Sequence, residues 1–143
     1  MTKNKVLVTG GAGFLGVHLA RKLIKDNYEV TLFDIADLDA KDLIGKVKCI
    51  NGDVRNKKSV ENALRNQDYV IHAAAALPIL REEKIIFDIN INGTRNVLNS
   101  ALRNKVKRLV FISSTAVYGI PRHLPEAETN PLDPIGYYGE SKV

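Results

Sequence analysis

The sequence predicts an α/β fold built on a doubly wound parallel sheet, and three observations carry that prediction. Short apolar runs alternate with amphipathic helical stretches along the chain. Several runs are apolar on both faces, which suits strands covered by helices on both sides. The first run ends in a glycine-rich turn that passes directly into helical spacing. Strand–helix alternation of this kind closes into a layered sheet with right-handed crossovers.

The elements follow in order. Val6, Leu7 and Val8 form a first strand running into Thr9 and Gly10. Residues 14–26 are helical, with Phe14, Val17, Leu19, Ala20, Leu23 and Ile24 on one stripe and Arg21, Lys22 and Lys25 outside it. Asn27 ends that helix. Residues 30–33 read as a second strand ending at Asp34, and residues 47–50 as a shorter third, closed by the turn signal Asn51-Gly52-Asp53. Residues 59–66 are helical and 69–72 form a fourth strand. A long helix over 82–104 carries Ile85, Ile89, Val97, Leu98 and Ala101, and 109–112 form a fifth strand. Residues 119–136 hold Pro121, Pro125, Pro131 and Pro134 and read as a loop.

Composition narrows the function. The chain has 143 residues, 45% hydrophobic and 26% charged, which suits one packed domain and rules against disorder. The longest uncharged apolar run, 70–80, is too short for a membrane-spanning helix, and the N-terminal run is too short for a signal-peptide core. Single Cys49 allows neither an internal disulfide nor a cysteine zinc cluster, which fits a cytoplasmic protein. Cys49 itself reads as a small core residue. The net charge is +5, but the basic residues are scattered, so nucleic acid is not an expected partner. The densest group, Arg103, Lys105, Lys107 and Arg108, reads as a solvated helix end.

The first chemical signal is Thr9-Gly10-Gly11-Ala12-Gly13-Phe14-Leu15-Gly16, between the first strand and the first helix. Glycine lets the backbone turn tightly and approach a pyrophosphate. The free amides at the helix start then face phosphate oxygens. Asp34 lies 18 residues beyond Gly16, where a carboxylate accepts hydrogen bonds from both ribose hydroxyls and repels a 2′-phosphate, favouring NAD over NADP. Two registers fit the glycines: Gly11-x-Gly13-x-x-Gly16 and Gly10-x-x-Gly13-x-x-Gly16.

The second signal is Tyr138 with Lys142 four residues on, a spacing that puts both on one helical face. A nearby ammonium stabilises phenolate, so such a tyrosine takes a proton from an alcohol as hydride leaves the same carbon. Ser114 follows the fifth strand, at the sheet end where open α/β folds place ligands. Its hydroxyl is placed to hold the reacting oxygen, or to cap a helix. Taken alone, Asp53 reads as a turn residue and His72 as a buried strand-end histidine.

Together these motifs resemble the NAD-dependent epimerase/dehydratase family of extended short-chain dehydrogenases/reductases, which includes nucleotide-sugar 4-epimerases. The resemblance rests on Thr9-Gly10-x-x-Gly13-x-x-Gly16, Asp34, Asp53-Val54, His72-Ala73-Ala74, Asn90-x-x-Gly93-Thr94-x-Asn96, Ser114 with Val117-Tyr118-Gly119, and Tyr138-x-x-x-Lys142. It implies a Rossmann nucleotide domain over residues 1–143, with Phe14 and Leu15 beside the pyrophosphate and Asp34 on the adenosine ribose. It further implies that Asp53 and Val54 flank adenine and that Ala73, Ala74 and Ala75 border the cofactor. Asn90 would contact the cofactor side or a relay water. Ser114, Tyr138 and Lys142 would be the catalytic set, Lys142 also holding the nicotinamide ribose, and no metal is implied. The full-length relatives dimerise, the long 82–104 helix contributing one side.

Three departures qualify the resemblance. Family members continue well past the position of Lys142, so the chain reads as a cofactor-binding fragment lacking the last strands and the substrate domain, with little turnover of its own. Thr115-Ala116 stands where dehydratases carry Asp-Glu, which disfavours dehydration. Leu77 stands where some 4-epimerases carry lysine, which keeps open a dehydrogenase or reductase of another, more apolar alcohol, as in 3β-hydroxysteroid dehydrogenases. A protein that binds NAD(H) without chemistry is the third reading, against which the intact Ser114, Tyr138 and Lys142 argue.

Overall fold

A computed structural model describes residues 3–80, 82–121 and 124–143. Five parallel strands form one sheet: β1 (Lys5–Thr9), β2 (Glu29–Asp34), β3 (Lys48–Asn51), β4 (Tyr69–His72) and β5 (Arg108–Phe111). Their spatial order is β3-β2-β1-β4-β5. The chain winds outward from β1 to β3, then returns across β1 to lay down β4 and β5. The order therefore reverses between β1 and β4, and open α/β sheets bind ligands beyond the strand carboxyl ends at such a point.

Alternation along β1 divides the core. Leu7 packs with Phe33, Val60, Leu64, Val70 and Val97 on one face, which α2 (Lys57–Leu64) and α4 (Thr94–Arg103) cover. Val6 and Val8 pack with Ala20, Val30, Leu32 and Leu43 on the other, which α1 (Phe14–Lys25) covers. Burial on both faces is why these strands read as continuous apolar runs.

Local signals set the helix ends. Asn27 adopts φ 65° after α1, and Tyr28 N–H reaches back to the Leu23 carbonyl, a left-handed cap of the kind asparagine tolerates. Asn56 caps α2 through its side-chain oxygen, which accepts from Ser59 N–H.

Two expectations needed revision. The helix expected over 82–104 is α3 (Glu83–Phe87), a π-helical turn over Asp88–Gly93, and α4. Such a turn is a one-residue accommodation inside a helix, often placed where a side chain must be re-aimed. Cys49 is exposed rather than packed inside, because β3 is an edge strand and its residues are largely uncovered.

No helix among the described residues is long and apolar enough to cross a membrane. Among them no cluster of three potential metal ligands occurs either.

Candidate functional site

The turn joining β1 to α1 is built around absent side chains. Gly10 has φ 68°, and a Cβ there would lie 2.8 Å from the Ala74 nitrogen. A Cβ at Gly16 would press on the Gly10 carbonyl oxygen and come within 2.6 Å of Gly11 Cα. Gly13 differs: a Cβ there would meet only the Gly10 carbonyl oxygen, at 3.3 Å, and otherwise stand in the open cleft. No side chain caps α1, so the amides of its first turn face outward unpaired by the helix.

Asp34 closes the other side of this turn. One carboxylate oxygen accepts from Ala12 N–H at 3.0 Å and the other from Ala36 N–H at 3.0 Å. Each oxygen keeps a lone pair for a further donor. An open cleft of about 460 Å³ lies over these groups, at the carboxyl ends of β1 and β4. Gly10, Gly13, Phe14, Leu15, Gly16 and Asp34 line it, joined by Asp53, Val54, Ala73, Ala74, Ala75, Tyr138 and Lys142.

Arg55 also lines the cleft, a residue the motif reading passed over. It grips Asp53 with contacts of 2.6 to 3.1 Å, and that guanidinium holds the Asp53 carboxyl below the usual carboxylate range. The signal was the Asp-Val-Arg spacing after β3, which puts the two side chains within reach across one turn. Ser113 and Ile35 line the cleft as well.

Helix α5 (Gly136–Glu140) brings Tyr138 to the cleft, and Lys142 follows on the next turn. Lys142 is only 6% exposed, and its ammonium donates to the Ile112 carbonyl at 3.0 Å. It sits 4.8 Å from the Phe111 ring centre and 5.9 Å from that of Tyr138. Burial pushes its pKa down.

Ser114 and Asn90 stand elsewhere. The Ser114 hydroxyl accepts from Ala116 N–H at 3.1 Å, capping the short 3₁₀ turn Thr115–Tyr118. It lines a second cavity of about 630 Å³ with Tyr118, Leu124 and Glu126, and Ser113 borders both cavities. Asn90 is fully enclosed behind the cleft wall. Its side chain accepts from Ala76 N–H (2.7 Å) and donates to the Ala76 carbonyl (3.1 Å) and to the Ser141 hydroxyl (2.8 Å). That hydroxyl in turn donates to the Tyr138 carbonyl at 2.8 Å. The π-helical turn thus aims Asn90 inward, where it fastens the Ala76 loop to α5.

His72 is the hub beneath the site. The Thr94 hydroxyl donates to the Asn90 carbonyl, so it accepts from His72 Nε2–H at 2.9 Å. Nδ1 is then an acceptor, taking the Thr9 hydroxyl proton at 2.6 Å, while Thr9 accepts from Ala74 N–H. Every donor in this chain has one acceptor only if His72 is neutral. Desolvation first, and the Lys142 charge second, depress its pKa to about 4.

Comparison with known proteins places the chain in a family. The model of the "NAD dependent epimerase/dehydratase family" fits residues 6–143. A UDP-glucose 4-epimerase of Lactobacillus helveticus is 37% identical over 145 residues, 97% of this chain and 44% of the relative. An N-acetyl-alpha-D-glucosaminyl-diphospho-ditrans,octacis-undecaprenol 4-epimerase of Escherichia coli O157:H7 is 37% identical over 97% of this chain and 40% of its own. Among solved structures, the Bifidobacterium longum UDP-glucose 4-epimerase in complex with NAD+ and UDP superposes with a TM-score of 0.88 at 34% identity, covering 97% of this chain and 46% of that one. The chain thus spans less than half the length of these relatives.

Proposed function

Because the chain belongs to the NAD-dependent epimerase/dehydratase family, we propose that its cleft binds NAD and serves 4-epimerisation of a nucleotide sugar. The observation that carries this is the coincidence, in one cleft, of a side-chain-free turn, an acid with lone pairs to spare, and a tyrosine–lysine pair. The fit is physical: the open space above Gly13 would admit a diphosphate against the unpaired α1 amides, and the spare lone pairs of Asp34 would take the hydroxyls of the adenosine ribose. The UDP-glucose 4-epimerase relatives support UDP-sugars as the substrate class.

NAD bound there supplies a hydride acceptor that later returns the hydride. The residues of the chain handle the proton and the positioning. Tyr138, as phenolate, accepts the proton of the sugar hydroxyl, and the Lys142 ammonium beside it stabilises the anion. Lys142 also holds the nicotinamide ribose. Ser114 holds the carbonyl oxygen of the oxidised sugar from the second cavity. The sugar then turns within that space so that its opposite face would meet the returning hydride, and Tyr138 gives the proton back to the carbonyl oxygen. Asn90 acts from behind, holding α5 against the Ala76 loop.

The test joins this chain to the remaining half of a UDP-glucose 4-epimerase relative and assays UDP-glucose. Interconversion without net absorbance at 340 nm is expected, and Tyr138→Phe lowers kcat by about 10³-fold with NAD affinity unchanged. Steady accumulation of NADH would instead favour a dehydrogenase, the reading to which the exposed Leu77 wall of the cleft lends support. Full turnover by the Tyr138→Phe protein contradicts both. On α4, Leu98 and the 80%-exposed Leu102 lie one turn apart, an apolar face suited to helix pairing between two copies. Sedimentation of the joined protein is expected to give a dimer, and a monomer at high micromolar concentration contradicts that pairing.

A further inference from the structure

The buried ammonium of Lys142 lacks the partner such a charge usually has. Among the described residues, no carboxylate lies within ion-pair distance of it. The ionisable groups packed around it are His72 on β4 and Tyr138 on α5. Among the described residues its one hydrogen-bond acceptor is the Ile112 carbonyl. A charge removed from water needs compensation, and here the nearest aromatic face is that of Phe111, 4.8 Å from Nζ to ring centre. Phe111 ends β5, directly beside His72 in the register, and the His72 ring lies 5.8 Å away. The locked, neutral His72 thus supports the same ring that faces the ammonium.

We propose that Phe111 is a positioning residue, its π face seating the Lys142 ammonium beside Tyr138. The inference gives Phe111 a role in the proposed reaction and to that extent rests on it. The seat itself is a property of the folded chain alone. A ring that merely fills space would serve equally well with its π density withdrawn. A ring that seats the cation would not.

The experiment exploits that difference. Phenylalanine carrying one, two or three ring fluorines replaces Phe111 in the whole chain, changing its shape little while draining its face of electron density. The Lys142 ammonium is followed by ¹³Cε NMR against pH, its signal assigned by its loss in Lys142→Arg. The midpoint is expected to fall with each fluorine, by about one unit over the series, a roughly tenfold change in acid dissociation constant. Phe111→Tyr keeps the wild-type midpoint, and a folded Phe111→Leu falls to the level of the trifluoro protein. A midpoint independent of fluorination overturns the proposal, whether or not Phe111→Leu folds. NAD titrated into the same samples separates the two questions. Absence of NAD binding would count against the proposed function and leave the response to fluorine standing.

Discussion

Replacing Gly16 by valine is expected to abolish NAD binding and to destabilise the chain by about 3 kcal/mol, the upper range for overpacking. The added Cβ meets main chain, not flexible side chain: the Gly10 carbonyl oxygen and Gly11 Cα at 2.6 Å. Main chain here has nowhere to go. Gly11 rests on Leu32 of β2, and Gly10 on Ala73 and Ala74 beyond β4. The turn must therefore open, which separates Ala12 from Asp34 and spoils the surface offered to the diphosphate. Urea unfolding and titration calorimetry with NAD read the two effects. Gly45→Ala is the control. It strains a residue at φ 78° with nothing within 4 Å of its Cβ, outside the cleft lining, so it costs stability and leaves NAD affinity unchanged. Wild-type affinity in Gly16→Val would contradict the geometry of the turn.

The second large effect is acid sensitivity centred on His72. Folding depresses its pKa from 6.5 to about 4, because burial strips the protonated ring of water and the Lys142 ammonium repels its charge. The unfolded chain thus binds the extra proton first as pH falls. The stabilisation from a neutral His72 is complete above pH 6.5 and drains away as pH drops towards 4, by roughly 3 kcal/mol in all. Carboxylates with depressed pKa, such as Asp42 at about 2, lose their contribution at lower pH and so leave this window to the histidine. Unfolding free energies measured from pH 7.5 to 4 are expected to show this slope, and His72→Gln to flatten it. A wild-type chain equally stable across that range contradicts the neutral hub.

Much of the fold was legible because burial on both faces leaves a plain trace. Val6 to Val8, Val30 to Phe33 and Tyr69 to His72 announce central strands, and the glycines with Asp34 mark where β1 and β2 end. Cys49 misled because an edge strand carries the same apolar letters as a central one. Only the sheet order, unknown until the crossover is seen, leaves β3 uncovered. The π-helical turn at Asp88–Gly93 was hidden for a different reason. No large apolar residue stands between Ile91 and Val97 to mark helical phase across the turn, yet the turn holds Asn90 against Ala76 and Ser141. His72 was legible as buried, but its links to Thr9 and Thr94 join positions 63 and 22 residues away and exist only in the folded sheet. Phe111 carries no motif at all.

The most direct measurement is a titration of the ¹⁵N-labelled chain with NAD, followed amide by amide. Saturable shifts are expected at residues 10–16 and 34–36, with NADP at least about tenfold weaker because the Asp34 carboxylate repels a 2′-phosphate. No saturable shift at millimolar NAD, or shifts confined to the second cavity around Ser114 and Tyr118, would contradict the placement of the dinucleotide over the glycine turn.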